Sequence, residues 1–367
     1  MLISIINTVL IVSGISGVLA LLLVIAEHFF ANYGECEIDI NNGKKKLQVK
    51  GGSSLLSTLN ENKIYIASAC GGRGSCGFCK CKVSDGGGPL LPTEKPFLDA
   101  KEIKDNYRLA CQVKIKENIK IEIPESIFNI KKFKGKVGKI TDLTYDIKEL
   151  TIKLIEPDRI DFKAGQYVQL EAPRYEKTKQ AVTRAYSISC NPDLEGYVQL
   201  IIRRVPKGIC TTYVFDYLKK GDDINLTGPF GDFYIQGTDA DMIFIAGGSG
   251  KAPIKSMVEY LLAHGTNRRM VYFFGARTPQ DLYYTELFKE YEKKLPDFSY
   301  VPILSRPEKN SDWTGKTGYI PIYFKEYITN PKNTEAYLCG SPGMIAAVVK
   351  GLKEYGVPED KIYYDSF

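Results

Sequence analysis

Cys70, Cys76 and Cys79 stand in the spacing C-x5-C-x2-C, and Cys111 follows after 31 intervening residues. Four thiolates are what a [2Fe–2S] cluster needs, although the plant-type spacing has four residues in the first gap where this chain has five. Glycines at 71, 72, 74 and 77 bring backbone N–H groups close to the sulfurs, where hydrogen bonds tune a cluster's potential. A structural zinc site is the competing use of four thiolates. It favours two short C-x2–4-C knuckles, whereas three cysteines here share one loop and the fourth is remote. Cys81 reads as a packed strand thiol, and Cys36 has no partner signal.

Two further groups of residues can bind flat, charged cofactors. In Arg184-Ala185-Tyr186-Ser187 the arginine offers a planar fork for a diphosphate. Tyr186 falls on the same strand face, where its ring can cover a flat ring system, and the Ser187 hydroxyl can reach an acceptor at that ring's edge. Gly208-Ile209-Cys210-Thr211-Thr212 then brings a glycine and hydroxyls into a helix start, an arrangement suited to anions. Further on, an apolar strand at 241–246 runs into Gly247-Gly248-Ser249-Gly250, a phosphate-cradling turn before a helix. A second strand at 270–274 leads into Gly275-Ala276-Arg277, and a third unit presents Cys339-Gly340-Ser341-Pro342-Gly343-Met344.

The elements that must position these groups can be read from periodicity. Residues 1–26 carry no charge, and at 1.5 Å per residue they span a hydrocarbon core of about 30 Å. No basic residue precedes the run and no small-residue cleavage site follows it, so it reads as a retained transmembrane anchor over 1–30 and not as a signal peptide. Lys44, Lys45, Lys46 and Lys50 follow it, which by the positive-inside rule places the rest of a single-pass chain on the cytoplasmic side of its membrane. Short strands at 37–40, 46–49, 80–83 and 119–123, with a helix near 53–60, fit a small β-grasp ferredoxin domain over 31–130. Alternating strands from Gly135 predict an antiparallel β-barrel over 131–236. Strands alternating with helices predict a doubly wound α/β domain over 237–367, with a ligand crevice at the carboxyl ends of its strands.

Composition narrows the class further. A length of 367 residues allows two or three domains beside the anchor. With 44% hydrophobic and 25% charged residues, disorder and collagen-like repeats are excluded. A net charge of +6 is too mild to argue nucleic-acid binding, and two histidines leave little room for histidine-based zinc sites or triads. Thiolates kept free for iron place the domains in a reducing compartment.

The Arg184–Ser187 and Gly208–Thr211 motifs, in this order, resemble the R-x-Y-S and G-x-x-[ST] motifs of the ferredoxin–NADP⁺ reductase superfamily. Together with the anchor, the cysteine loop and the run Gly86-Gly87-Gly88-Pro89-Leu90-Leu91-Pro92-Thr93-Glu94, the whole chain resembles the family of F subunits of Na⁺-translocating NADH:quinone oxidoreductases. The resemblance implies that Arg184 and Thr211, with Gly208, hold the pyrophosphate of FAD, that Tyr186 stacks on the isoalloxazine and that Ser187 faces its N5. It implies that Gly247, Gly248, Gly250, Gly275, Arg277 and Gly340 bind the nicotinamide nucleotide. Cys339 would lie near the nicotinamide C4, and Phe367 would cover the flavin until the nicotinamide displaces it. The implied path is NADH to FAD to [2Fe–2S] to a downstream redox partner among other membrane subunits, in a quinone-reducing, Na⁺-translocating complex of the cell inner membrane. An arginine such as Arg277 could grip a 2′-phosphate; the whole-chain resemblance favours NADH over NADPH. An anchored reductase serving an oxygenase, and a membrane-tethered redox sensor, share the same modules. Lys251 departs from the family, which has an apolar residue there; a cation at that place would meet a cofactor phosphate or point to solvent. Trp313 reads as packing.

Overall fold

The computed structural model describes residues 2–30, 33–68, 70–307 and 312–366, with the side chains at 2–5, 8–9 and 23–30 outside that description. Two compact units result, Met1–Asn129 and Ile130–Phe367. The first opens with helix α1 (Leu2–Phe30). Over the described residues alone, no helix is long and apolar enough to cross a membrane.

Strands β1 (Glu35–Ile40), β2 (Lys45–Lys50), β3 (Lys80–Asp85), β4 (Tyr107–Leu109) and β5 (Ile119–Glu122) form one sheet in the order β2-β1-β5-β3-β4. β1 and β5 run parallel and the other pairs antiparallel. Alternation puts Cys36, Ile38 and Ile40 on the inner face of β1, where helix α2 (Leu55–Glu61) adds Leu55, Leu56 and Leu59. Ser54 caps α2, its hydroxyl accepting from the Ser57 N–H at 3.2 Å. A short helix, α3 (Ala100–Lys104), precedes β4. Cys81 is buried in this core, as expected of a strand thiol.

One ion pair ties the 86–94 segment to β4. Glu94 is fully buried, and Arg108 donates to its carboxylate through Nε at 3.0 Å and Nη2 at 2.7 Å. The Leu91 and Leu109 N–H groups, each at 2.9 Å, also donate to the carboxylate. The remaining Arg108 donors reach the carbonyls of Gly87, Gly88 and Pro89. Every charge-bearing atom is thus partnered, the condition under which a buried pair is tolerated.

The second unit begins with β6 (Lys131–Asp142), β7 (Ile147–Glu156), β8 (Tyr167–Ala172), β9 (Val182–Ser187) and β10 (Tyr197–Arg203), a short helix α4 (Ile209–Thr212), and β11 (Asp223–Phe230). The six strands pair antiparallel in the order β10-β7-β6-β11-β8-β9. A bridge between Ile188 and Leu200 links the end of β9 to β10 and closes the barrel.

The α/β part comprises β12 (Asp241–Gly247), α5 (Lys251–His264), β13 (Met270–Ala276), α6 (Thr285–Lys294), β14 (Phe298–Leu304), β15 (Lys316–Thr317), α7 (Phe324–Tyr327), β16 (Thr334–Gly340), α8 (Pro342–Tyr355) and β17 (Ile362–Ser366). Its sheet is parallel throughout, in the order β15-β14-β13-β12-β16-β17. Phe244, Tyr272 and Tyr337 pack on one face against Ile254, Met257 and Phe288 of α5 and α6. Ile243, Phe273 and Leu338 pack on the other, against Phe324 of α7 and Val348 and Leu352 of α8. Burial on both faces explains why these strands read as continuous apolar runs. On β17, Asp365 pairs in register with Cys339, and burial lifts its carboxyl to about 6.

Two outcomes are expected. Glu94→Gln leaves arginine and amide donors facing an amide, so hydrogen exchange of β1 and β5 should accelerate about a hundredfold, the effect of roughly 3 kcal/mol, while barrel peptides stay unchanged. Equal exchange in parent and variant would remove the pair from the structural account. For Asp365 the folded pKa lies above the unfolded one, so its ionisation costs stability as pH rises from about 4 through about 6. The stability of Asp365→Asn relative to the parent should therefore grow by about 2–3 kcal/mol between pH 4 and pH 7. A pH-independent difference in thermal midpoint would contradict it.

Candidate functional site

The four cysteines expected to hold the cluster are free thiols, with Cys70 and Cys79 buried and Cys76 and Cys111 half-buried. They gather two and two: Cys70 is hydrogen-bonded to Cys76, and Cys79 to Cys111. The Cys79 thiol's bond to Cys111 draws the latter's pKa down to about 6 and pushes that of Cys79 up. Backbone N–H groups of Ser75 and Arg73 point at Cys70, that of Phe78 at Cys76 and that of Gly74 at Cys111. The Gln112 amide also donates to Cys111, at 3.7 Å, and accepts from the Thr93 hydroxyl at 3.0 Å. Gly74 is required here: its φ is +72°, and a Cβ would stand 2.6 Å from Gln112 Nε2. Among the described residues no three His, Cys, Asp or Glu side chains converge on one metal position. Two thiolates on each of two irons fit paired sulfurs ringed by N–H donors.

In the second unit, β9 carries Arg184 opposite Leu170 and Tyr186 opposite Val168, two residues apart on one face. Arg184 Nη1 donates to the Thr183 carbonyl at 2.7 Å; burial pushes the Tyr186 phenol up and keeps it neutral. Ser187 ends the strand and is buried. Gly208 sits at the start of α4, but the Thr211 hydroxyl is occupied by the preceding turn, accepting from the Val205 N–H at 3.2 Å. Cys210 donates to the Val182 carbonyl at 3.1 Å, a packing role.

The predicted nucleotide residues meet at the carboxyl ends of the strands. Gly247 pairs with Gly275, and Ala246 with Cys339. A Cβ on Gly250 would overlap the Cys339 carbonyl; one on Gly247 would lie 2.8 Å from Met344 Sδ, and one on Gly340 2.6 Å from Met344 Cε. Chain order passes from β12 to β13 on one side and later to β16 on the other. The turn therefore sits at the sheet's switch point, where α/β folds bind ligands. Cys339 is fully buried, and burial holds its thiol protonated. Arg277 is exposed beyond β13. Phe367 lies outside the described residues.

Several residues of this region carried no recognised signal. Arg203 ends β10 with Nη1 3.3 Å from where a Cβ on Gly248 would stand, and it pairs with Asp146 at 2.8 Å. Tyr283 donates to the Gly248 carbonyl at 2.8 Å. Lys251 neither faces a phosphate site nor points to solvent: it is fully buried. Trp313 donates its indole N–H to the Lys316 carbonyl at 3.1 Å.

Three family models match in sequence order: the 2Fe-2S iron-sulfur cluster binding domain at 38–116, the oxidoreductase FAD-binding domain at 134–235 and the oxidoreductase NAD-binding domain at 244–350. The chain is similar to the Amycolatopsis cytochrome P450 reductase GcoB, with a TM-score of 0.74 and 26% identity over 90% of this chain and 98% of that one. It is also similar to the ferredoxin reductase in carbazole 1,9a-dioxygenase, with a TM-score of 0.69 and 26% identity over 91% and 98%. The F subunit of the Na⁺-translocating NADH-quinone reductase of Serratia proteamaculans is 36% identical over 97% of each chain. That of Pseudomonas aeruginosa is 36% identical over 96% of this chain and 95% of its own. Paired thiols, the R-x-Y-S strand and the three-glycine crevice thus occur in a chain matched from end to end, and it belongs to the family of F subunits of Na⁺-translocating NADH-quinone reductases.

Proposed function

We propose that this chain is the NADH-oxidising subunit of a membrane-bound, quinone-reducing complex, and that it delivers electrons singly to a partner subunit. Two electrons leave NADH as hydride, giving NAD⁺; a proton is released and two one-electron acceptors are reduced. When bound, FAD supplies the conversion from a hydride pair to single electrons, and the [2Fe–2S] cluster carries them one at a time. The observation that carries this reading is the crevice at 247–250, 275 and 340, in the same compact unit as the strand bearing Arg184, Tyr186 and Ser187.

Each residue's role follows from its chemistry. The Arg184 fork and the Gly208–Thr211 turn hold the FAD diphosphate, after the Thr211 hydroxyl turns from its present partners. Tyr186 covers the ring system, and Ser187 offers its hydroxyl at the ring edge. The Gly247, Gly248 and Gly250 turn receives the NADH pyrophosphate, with Gly275, Arg277 and Gly340 lining the rest of the crevice. Cys339, neutral and buried, shapes the nicotinamide end of the crevice, and Phe367 shields the flavin face when nucleotide is absent. Cys70, Cys76, Cys79 and Cys111 would hold the cluster, in the two pairs Cys70–Cys76 and Cys79–Cys111 that their hydrogen bonds already form.

Helix α1 is proposed as the single-pass anchor in a cell inner membrane, with the rest of the chain on the cytoplasmic side. Residues 1–26 are uncharged, and Leu10, Ile11, Val12, Ile15, Val18 and Leu22 are each more than half exposed, an apolar surface suited to lipid. Free thiols and the lysines at 44–46 and 50 support that side. Likeness to an oxygenase's reductase supports a second reading, delivery to an oxygenase, which identification of the co-purifying partner separates from the first.

Anaerobic titration of the detergent-solubilised protein should bleach flavin absorbance and give a [2Fe–2S] EPR signal with NADH and not with NADPH. Bleaching with no EPR signal would remove the cluster from the path. In Cys70→Ala, NADH should still bleach the flavin while quinone reduction falls to background; loss of both reactions would overturn the division of labour between the two units.

A further inference from the structure

Lys251 opens α5 directly after the glycine turn, and it is fully buried. Its side-chain nitrogen lies 3.6 Å from the ring centroid of Phe274, 4.7 Å from Tyr283, 5.0 Å from Phe288 and 5.3 Å from Tyr300. Burial alone drives its pKa well down; no carboxylate contributes. A lysine enclosed in this way is costly unless its donors are used. They are used on two atoms: Nζ donates to the Tyr283 carbonyl at 2.6 Å and to the Tyr300 hydroxyl at 3.1 Å.

The first of these bonds leads back to the nucleotide turn. The Tyr283 hydroxyl donates to the Gly248 carbonyl at 2.8 Å, and that carbonyl also accepts from the backbone N–H of Lys251 itself. One residue on, Tyr284 has φ +55°, a strained value for an aromatic residue, at the start of α6. Lys251 therefore grips the peptide between Tyr283 and Tyr284 just where the backbone needs holding. Because a trans peptide is planar, a Gly248 carbonyl drawn toward Tyr283 leaves the Ser249 N–H pointing the opposite way.

We propose that Lys251 is a positioning residue for NADH: through the Tyr283 carbonyl it keeps the Tyr283 hydroxyl on Gly248 and so fixes the direction of the Ser249 N–H in the turn that receives the pyrophosphate. This rests on the reading that the 247–250 turn binds NADH. Lys251 does not touch the nucleotide; it sets the turn from behind.

The test uses the full chain loaded with FAD and cluster, with ferricyanide as acceptor, and compares Lys251→Met, Tyr283→Phe and the double variant. Methionine fills the cage without donating, and Tyr283→Phe keeps the cage intact should the first variant fold poorly. Each single variant should raise KM for NADH about fivefold to tenfold, the effect of roughly one hydrogen bond, with kcat changed less than about twofold. The inhibition constant of ADP-ribose, which keeps the pyrophosphate and lacks nicotinamide, should rise by the same factor. The double variant should match Tyr283→Phe, because both changes cut one linkage. Multiplying effects in the double variant, or a lower thermal midpoint with unchanged KM, would overturn the proposal. If the parent itself fails to oxidise NADH, the nucleotide reading falls first; if the parent turns over and Tyr283→Phe has an ordinary KM, only the role of Lys251 falls.

Discussion

The carbonyl of Cys339 comes so close to Gly250 that no side chain fits between them, and the nucleotide half is built around that approach. It seats the turn after β12 directly on the end of β16, across the point where strand order reverses. Gly247 and Gly340 are likewise fixed by the side chain of Met344, which lies over both. A Cβ at Gly250 would push the turn outward and widen the crevice, whereas at Gly247 or Gly340 the end of the Met344 side chain would have to give way. The strands can hold the approach because they are clamped on both faces by apolar packing, so the strain of close backbones is carried by a stiff sheet.

In the ferredoxin unit the corresponding constraint is polar. Three thiols come from one loop, and the fourth arrives on a segment only three residues past Arg108. The Arg108–Glu94 pair joins that segment to the loop at 86–94 by bonds that specify direction as well as distance. Apolar packing of equal volume would be as stable, but it would leave the register of Cys111 less determined. A site that must bring four sulfurs to two irons gains from the directional solution.

Much of this was legible in the sequence because its signals are local. The cysteine spacing, the R-x-Y-S strand, the glycine turn and the apolar parallel strands each lie within a dozen residues, where period and residue type carry the information. What was not legible is assembled across the chain. The rings around Lys251 come from β13, from 283–288 and from β14, so a charge after a glycine turn gave only the alternatives of phosphate and solvent, and both were wrong. Arg203 reads as an ordinary strand residue until β10 is seen to end beside Gly248. The Thr211 hydroxyl was read from its motif alone, without the turn at 205–208 that now engages it.

Helix α5 connects the two halves of the second unit. Its first turn follows the glycines of the nucleotide site. One turn later, Lys255 donates to the Ser189 carbonyl at 3.1 Å and Ser256 donates to the Cys190 carbonyl at 2.6 Å. Ser189 and Cys190 lie one residue beyond the strand that carries Arg184, Tyr186 and Ser187. The Lys255 charge is balanced by Glu259 at 2.9 Å on the same helix, and Glu259 accepts from Tyr291 of α6. A single helix thus follows the glycine turn at its start and is bonded, four and five residues on, to the segment just past the R-x-Y-S strand. Hydride transfer tolerates little error in the separation of its two partners. On the proposed assignment of the two sites, setting both from one helix removes the flexible connection through which such an error would enter.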